Sequence, residues 1–173
     1  MTSMTTDPRA VAGAVLLSGA AATVAFDLFG QALSPMLGLP ALSPVPLANA
    51  VIQTLTGSGW SAGAEFLHYV AGLVAYPLGW LLAAEPLSRR VAPGLPWVAA
   101  AALYGVLLWA FALYGMAHLI AGMPAFLGFG AMTWVALAGH VLFALVAAGV
   151  GRRLLGLSAA PGTALGAGQP IVA

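Results

Sequence analysis

Residues 97 to 121 read WVAAAALYGVLLWAFALYGMAHLIA, twenty-five positions without Asp, Glu, Lys or Arg. A helix needs about 20 apolar residues to cross the hydrocarbon of a bilayer, whereas a surface helix of a soluble protein carries a charged face. This stretch is therefore read as a membrane span. Arg89 and Arg90 stand just before it, and similar apolar runs lie on both sides, at about Val11 to Leu33, Ala62 to Ala84 and Phe129 to Val150. Arg9 precedes the first run, and Arg152 and Arg153 follow the last. The chain has no lysine, so these five arginines are its whole basic complement apart from histidine. Short cytoplasmic loops collect Arg and Lys. With four spans, all five arginines fall on one side, which makes both termini cytoplasmic.

The predicted fold is all-α: a polytopic protein of the bacterial cytoplasmic membrane, built as an antiparallel four-transmembrane-helix bundle over residues 11–155. A cytoplasmic head, 1–10, precedes it and a disordered cytoplasmic tail, 156–173, follows. Val11 to Leu33 is too long for the apolar core of a signal peptide and is read as a retained helix. The external loop from Ser34 to Ser61 contains Pro35, Pro40, Pro44 and Pro46, and Pro35 is read as stopping the first helix. Ser43 to Pro46 opens a short interfacial helix reaching Leu55, with Leu47, Val51, Ile52 and Leu55 on its apolar face. Small residues supply the helix contacts, Ser18, Ala22 and Ala25 on the first span and Ala136, Ala144 and Ala148 on the fourth. Pro77 is expected to kink the second span and free the carbonyl of Leu73.

Composition agrees with this reading and limits function. Of 173 residues, 62% are hydrophobic and only 5% charged, too few to solvate a globular surface. A net charge of +1 with arginines scattered over three loops gives no surface for nucleic acid. No cysteine is present, which removes thiolate metal sites and cysteine nucleophiles. No glycine-rich phosphate loop or nucleophile elbow occurs, so no catalytic residue is assigned. The lipid bilayer is the one partner implied; a homo-oligomer or a larger membrane complex is left open.

The polar residues inside the spans carry the functional information, because an ionisable group in hydrocarbon is costly to keep there. Thr23, Asp27 and Gln31 recur at intervals of four on one face of the first span. The second span offers Glu65, His68, Tyr69, Gly72 and Tyr76 on one face. The third aligns Tyr104, Phe111, Gly115 and His118, and the fourth places His140 between Ala136 and Ala144. At a rise of about 1.5 Å per residue, Asp27 and His68 sit roughly 9 Å from the external end, and Glu65 and His118 about 5 Å. His140 lies deeper, at roughly 17 Å.

Asp27, Glu65, His68 and His118 are thus nearly level, and carboxylate with imidazole suits a divalent metal such as Zn, Fe or Mn. Glu65-x-x-His68 has the spacing of half a dinuclear carboxylate site; a single motif supports at most a mononuclear one. Met36, Met116, Met123 and Met132 gather near the same end, and thioether with imidazole favours Cu(I). His140, flanked by small residues, is the candidate for binding a cofactor such as haem. Two other accounts compete: a structural ion pair fixing helix register, which suits an accessory or scaffolding subunit, and a proton relay. Glu85 and Asp7 are read as solvated charges at the cytoplasmic rim.

The second half of the chain resembles the YagU-like family of small bacterial inner-membrane proteins. The residues that carry the likeness are the third span ending in a His and a Gly-Met-Pro turn (His118 to Pro124), then Gly139-His140, then Arg152-Arg153. The resemblance covers Ala101 to Arg153 and implies a four-helix inner-membrane protein. The polar spacings of the first two spans lie outside it.

Overall fold

The computed structural model describes residues 7–157; most of the expected head, 1–10, and nearly all of the expected tail, 156–173, lie outside the described residues. Among the described residues there is no strand, and four helices are long and apolar enough to cross a membrane. These are α1 (Pro8–Met36), α3 (Ser61–Val91), α4 (Trp97–Ile120) and α5 (Ala131–Leu154). The shorter α2 (Val45–Thr56) lies between the first two. By length and composition this is a multi-pass membrane protein.

The helix starts follow from local chemistry. Asp7 caps α1, its carboxylate accepting the Arg9 N–H at 3.0 Å, with Pro8 in the first turn. α2 also has a proline in its first turn, and it stops at Gly57, whose φ of 81° suits a residue without a side chain. The Trp60 N–H then donates to Asn49 Oδ1 at 2.8 Å, tying α2 to the head of α3.

Two helices run past the expected end through a proline, for one reason. α1 runs past Leu33 to Met36 through Pro35, and α3 runs past Ala84 to Val91 through Pro86. A proline in a helix lacks the N–H and crowds the carbonyl four residues back. Here the backbone widens just upstream, at Leu28–Leu33 before Pro35, at Ala71–Ala75 before Pro77 and at Trp80–Ala84 before Pro86. In each widened turn the closing N–H reaches five residues back, from Ser34 to Phe29, Tyr76 to Ala71 and Glu85 to Trp80. The extra residue per turn gives the ring room, so these prolines bend the ladder without ending the helix. A longer widened stretch, Phe111–Ile120, holds no proline.

α5 packs along both α1 and α4, and α1 also meets the middle of α3. One apolar cluster gathers around Phe26, Leu113, Val135 and Phe143; the other surrounds Val15, Trp80, Leu81 and Ala101. Close approach depends on glycine: Gly19 lies on the Leu73 backbone, and Gly105 on the backbone of His140 and Val141. Elsewhere large apolar side chains point outward. Leu16, Leu17, Val24 and Leu28 on α1, with Leu103 and Leu107 on α4, are each more than half exposed. Such continuous apolar surface is a liability in water and the normal exterior of a helix facing acyl chains.

The connection from α4 to α5 contains a left-handed turn. Phe126, Leu127, Gly128 and Phe129 have φ of 49°, 52°, 71° and 56°, and each non-glycine member costs roughly 1–2 kcal/mol. The turn is held by its surroundings. The buried Thr133 hydroxyl donates to the Phe126 carbonyl, and Trp109 Nε1 donates to the Thr133 carbonyl at 3.0 Å. The Phe126 ring lies 4.7 Å from that of Trp109 and 5.6 Å from that of Tyr114, centroid to centroid. Thr133→Val keeps the shape and removes the donor. We expect a loss of about 1–2 kcal/mol and faster proteolytic nicking between Met123 and Gly130; nicking at the wild-type rate would mean that ring packing alone holds the turn.

Candidate functional site

Of the four side chains expected to form a metal site, the structure joins two. His68 Nε2 lies 3.3 Å from Asp27 Oδ1 and 3.4 Å from Oδ2, linking α3 to α1. Gln31, one turn beyond Asp27, donates Nε2–H to Oδ1 at 3.1 Å. A carboxylate that accepts from both an amide and an imidazole fixes the ring orientation and directs the His68 proton to Nε2.

Glu65 and His118 do not join them. The Glu65 residue is exposed, and His118 Nδ1 donates to the Met123 carbonyl at 2.8 Å, closing the end of α4. Among the described residues no three His, Asp or Glu side chains stand close enough to share a metal ion, so the four-ligand centre of Asp27, Glu65, His68 and His118 is not assembled. The physical cause for His118 lies in the backbone. Alignment of Phe111, Gly115 and His118 presumes 3.6 residues per turn, and over Phe111–Ile120 the wider ladder rotates each later side chain away from that register.

His140 is buried, and its Nδ1 donates to the Ala136 carbonyl one turn back at 2.7 Å. The Phe26 and His140 rings meet nearly at right angles, with centroids 5.3 Å apart. His140 and His68 face a common space. A cavity of about 560 Å³ opens between α1, α3, α4 and α5, with Leu47, Ala48 and Val51 of α2 as its roof. Its walls are mostly apolar, from Phe26, Leu67, Phe111, Leu113 and Phe143. The polar groups on the wall are few: Ser43, His68, His140, Thr23 and Tyr76. Thr23 Oγ1 is buried without a hydrogen-bond partner and sits over Gly72, where a Cβ would collide with it. An apolar hollow with a few convergent polar groups is the usual form of a small-molecule site.

Sequence reasoning missed this cavity because it is a space between elements, which no residue pattern records. It also misplaced Glu85. That carboxylate is 4% exposed instead of solvated, and it is clasped by two arginines. Arg89 reaches it from the same helix at 2.6 Å and Arg152 from α5. Arg152 also lies over the Trp97 ring, 5.3 Å from its centroid, and donates to the Leu157 carbonyl at 2.7 Å. Because α3 continues through Pro86, Glu85 lies within a helix and faces α5. The five arginines and Glu85 are absent from the cavity wall.

The class these features define is a multi-pass helical membrane protein with a largely apolar internal cavity and an Asp–His pair at its side. No protein-family model, curated protein or solved structure matches the chain.

Proposed function

We propose that this chain is a protein of the bacterial cytoplasmic membrane that holds a lipid-soluble ligand in the cavity beneath α2. In this reading the four long helices form an antiparallel bundle with both termini cytoplasmic. α2 lies on the external side, and the cavity opens in the external half of the bilayer. The orientation rests on the arginines, which stand in the first turn of α1, the last turn of α3 and the last turn of α5. The resemblance of Ala101 to Arg153 to YagU-like proteins agrees with the same placement.

The observation that carries the reading is the cavity itself: about 560 Å³ with mainly apolar walls and two imidazoles on them. That size falls within the roughly 300–1,000 Å³ typical of small-molecule sites. Among the described residues a metal ion would find only Asp27 and His68 together, two donors where zinc sites use at least three from protein.

The test is extraction and mass spectrometry of the protein purified from membranes in mild detergent, with Ala48→Phe prepared alongside. Ala48 lines the roof, so a phenyl ring there occupies the hollow. We expect a stoichiometric small molecule with the wild type, its loss from Ala48→Phe, and unchanged elution of both on gel filtration. Elemental analysis and an absorption spectrum of the same samples examine the competing accounts. Metal that disappears in His68→Ala, or a haem band that disappears in His140→Phe, would replace the organic ligand. A protein that carries nothing and copurifies with a larger complex would support the accessory-subunit account.

A further inference from the structure

Resting on the reading of the cavity as a ligand site, we infer that its occupant is a lipid-soluble hydroquinone, a neutral ring with two hydroxyl groups. The first step is charge. No Arg, Asp or Glu lines the cavity, so an anionic headgroup would meet no cation and an amine no acid. Asp27 stands behind His68 and is already occupied by that ring and by Gln31. A charged ligand would therefore lose its hydration without replacement, and the occupant is neutral.

The second step is hydrogen-bond polarity. A carbonyl oxygen only accepts, so the bond to Ala136 places the proton of His140 on Nδ1. No acid lies within ion-pair distance of His140 among the described residues, and a charged ring there would be an uncompensated buried ion. The neutral ring keeps a lone pair on Nε2. For His68, Asp27 takes the Nε2 proton, and the neutral form of the ring leaves Nδ1 as an acceptor. His140 on α5 thus offers one acceptor, and His68 on α3 in its neutral form a second, both on the wall of one cavity. They call for a ligand with two separated donors, and a simple alcohol or a hydrocarbon chain does not supply them.

The third step is shape. Phe26, Phe111 and Phe143 line the same space and suit the faces and edges of an aromatic ring. A para-dihydroxy ring on an apolar tail satisfies charge, polarity and shape together.

The experiment uses the full chain, delipidated in detergent, and compares tetramethylhydroquinone with its dimethyl ether by equilibrium dialysis. The two share the tetramethylated ring, and the ether replaces both hydroxyl protons with methyl groups, so it has no donors. We expect the hydroquinone to bind about tenfold more tightly than the ether, the effect of one or two hydrogen bonds. His140→Phe should bring the hydroquinone down toward the affinity of the ether. The wild-type comparison needs no variant and stands even if His140→Phe does not fold. Equal affinity for hydroquinone and ether overturns the inference. If neither binds but acyl lipid copurifies and Ala48→Phe excludes it, the hydroquinone is rejected and the cavity reading survives. If nothing binds or copurifies, both fall.

Discussion

Glu85→Ala is expected to destabilise the protein by about 3–5 kcal/mol, the range for breaking a buried ion pair by removing one partner. The carboxylate side chain is 5% exposed and that of Arg152 is 11% exposed, so Arg152 would keep its charge in a place that water scarcely reaches. Its remaining contacts, the Trp97 ring and the Leu157 carbonyl, are a cation–π contact worth about 0.5–2 kcal/mol and one hydrogen bond. Neither replaces a counter-ion. Arg89 would suffer less, since its side chain is 54% exposed and can turn to water. The measurement is thermal or denaturant unfolding in detergent for Glu85→Ala, Arg152→Ala and the double variant. If the pair is a buried unit, the double variant loses clearly less than the sum of the singles, because no orphaned charge remains. Glu85→Leu with Arg152→Leu should approach wild-type stability, since an apolar pair of similar shape dispenses with desolvation. Single variants within about 0.5 kcal/mol of wild type, as for exposed pairs, would return Glu85 to the solvated rim.

Glu85 also shows where sequence reading reaches its limit in this molecule. The four long helices were legible because twenty-odd apolar residues without charge need no tertiary information to be recognised, and arginines mark their ends. The ends of α1 and α3 were not, because Pro35 was read as a stop and the second span was ended at Ala84, while a widened turn absorbs Pro35 and another Pro86. One error produced the other: ending α3 at Ala84 puts Glu85 in a loop, while continuing it to Val91 turns the carboxylate onto Arg152. In the polar set the depth argument succeeded for Asp27 and His68, which meet through side chains from separate helices. Depth says nothing of facing, and Glu65 and His118, equally level, point elsewhere. The cavity depends on Leu42 and α2 folding back toward the helices. That return is directed by the Leu42 N–H to the Gly30 carbonyl at 2.9 Å and the Ser34 hydroxyl to the Pro40 carbonyl at 2.7 Å. Such bonds within a loop, one backbone to backbone and one side chain to backbone, leave no periodic trace.

Gly19→Val is the second substitution with a large expected effect, and Gly13 on the same helix supplies its control. A Cβ built on Gly19 collides with the carbonyl oxygen, carbonyl carbon and Cα of Leu73, all of them backbone. The contact has a cause: Pro77 removes the N–H that would have bonded the Leu73 carbonyl, and that freed oxygen faces α1 where only glycine admits it. No rotamer change relieves a clash with backbone, so α1 and α3 must part. Overpacking of this kind costs about 1–3 kcal/mol and sometimes more. Separation of these helices would also stretch the Asp27–His68 link, which spans the same pair one to two turns away. We therefore expect Gly19→Val to lower the unfolding midpoint and to weaken ligand retention together. Gly19→Ala should do the same to a smaller degree. Gly13 has open space around its Cβ position, so Gly13→Ala should be neutral or stabilising by up to about 1 kcal/mol, the helix-propensity gain of alanine over glycine. Opposite signs at two glycines on one helix cannot come from propensity, which favours alanine at both. If Gly19→Ala also stabilises, α1 and α3 do not meet at this point, and the alignment of Asp27 with His68 loses its support.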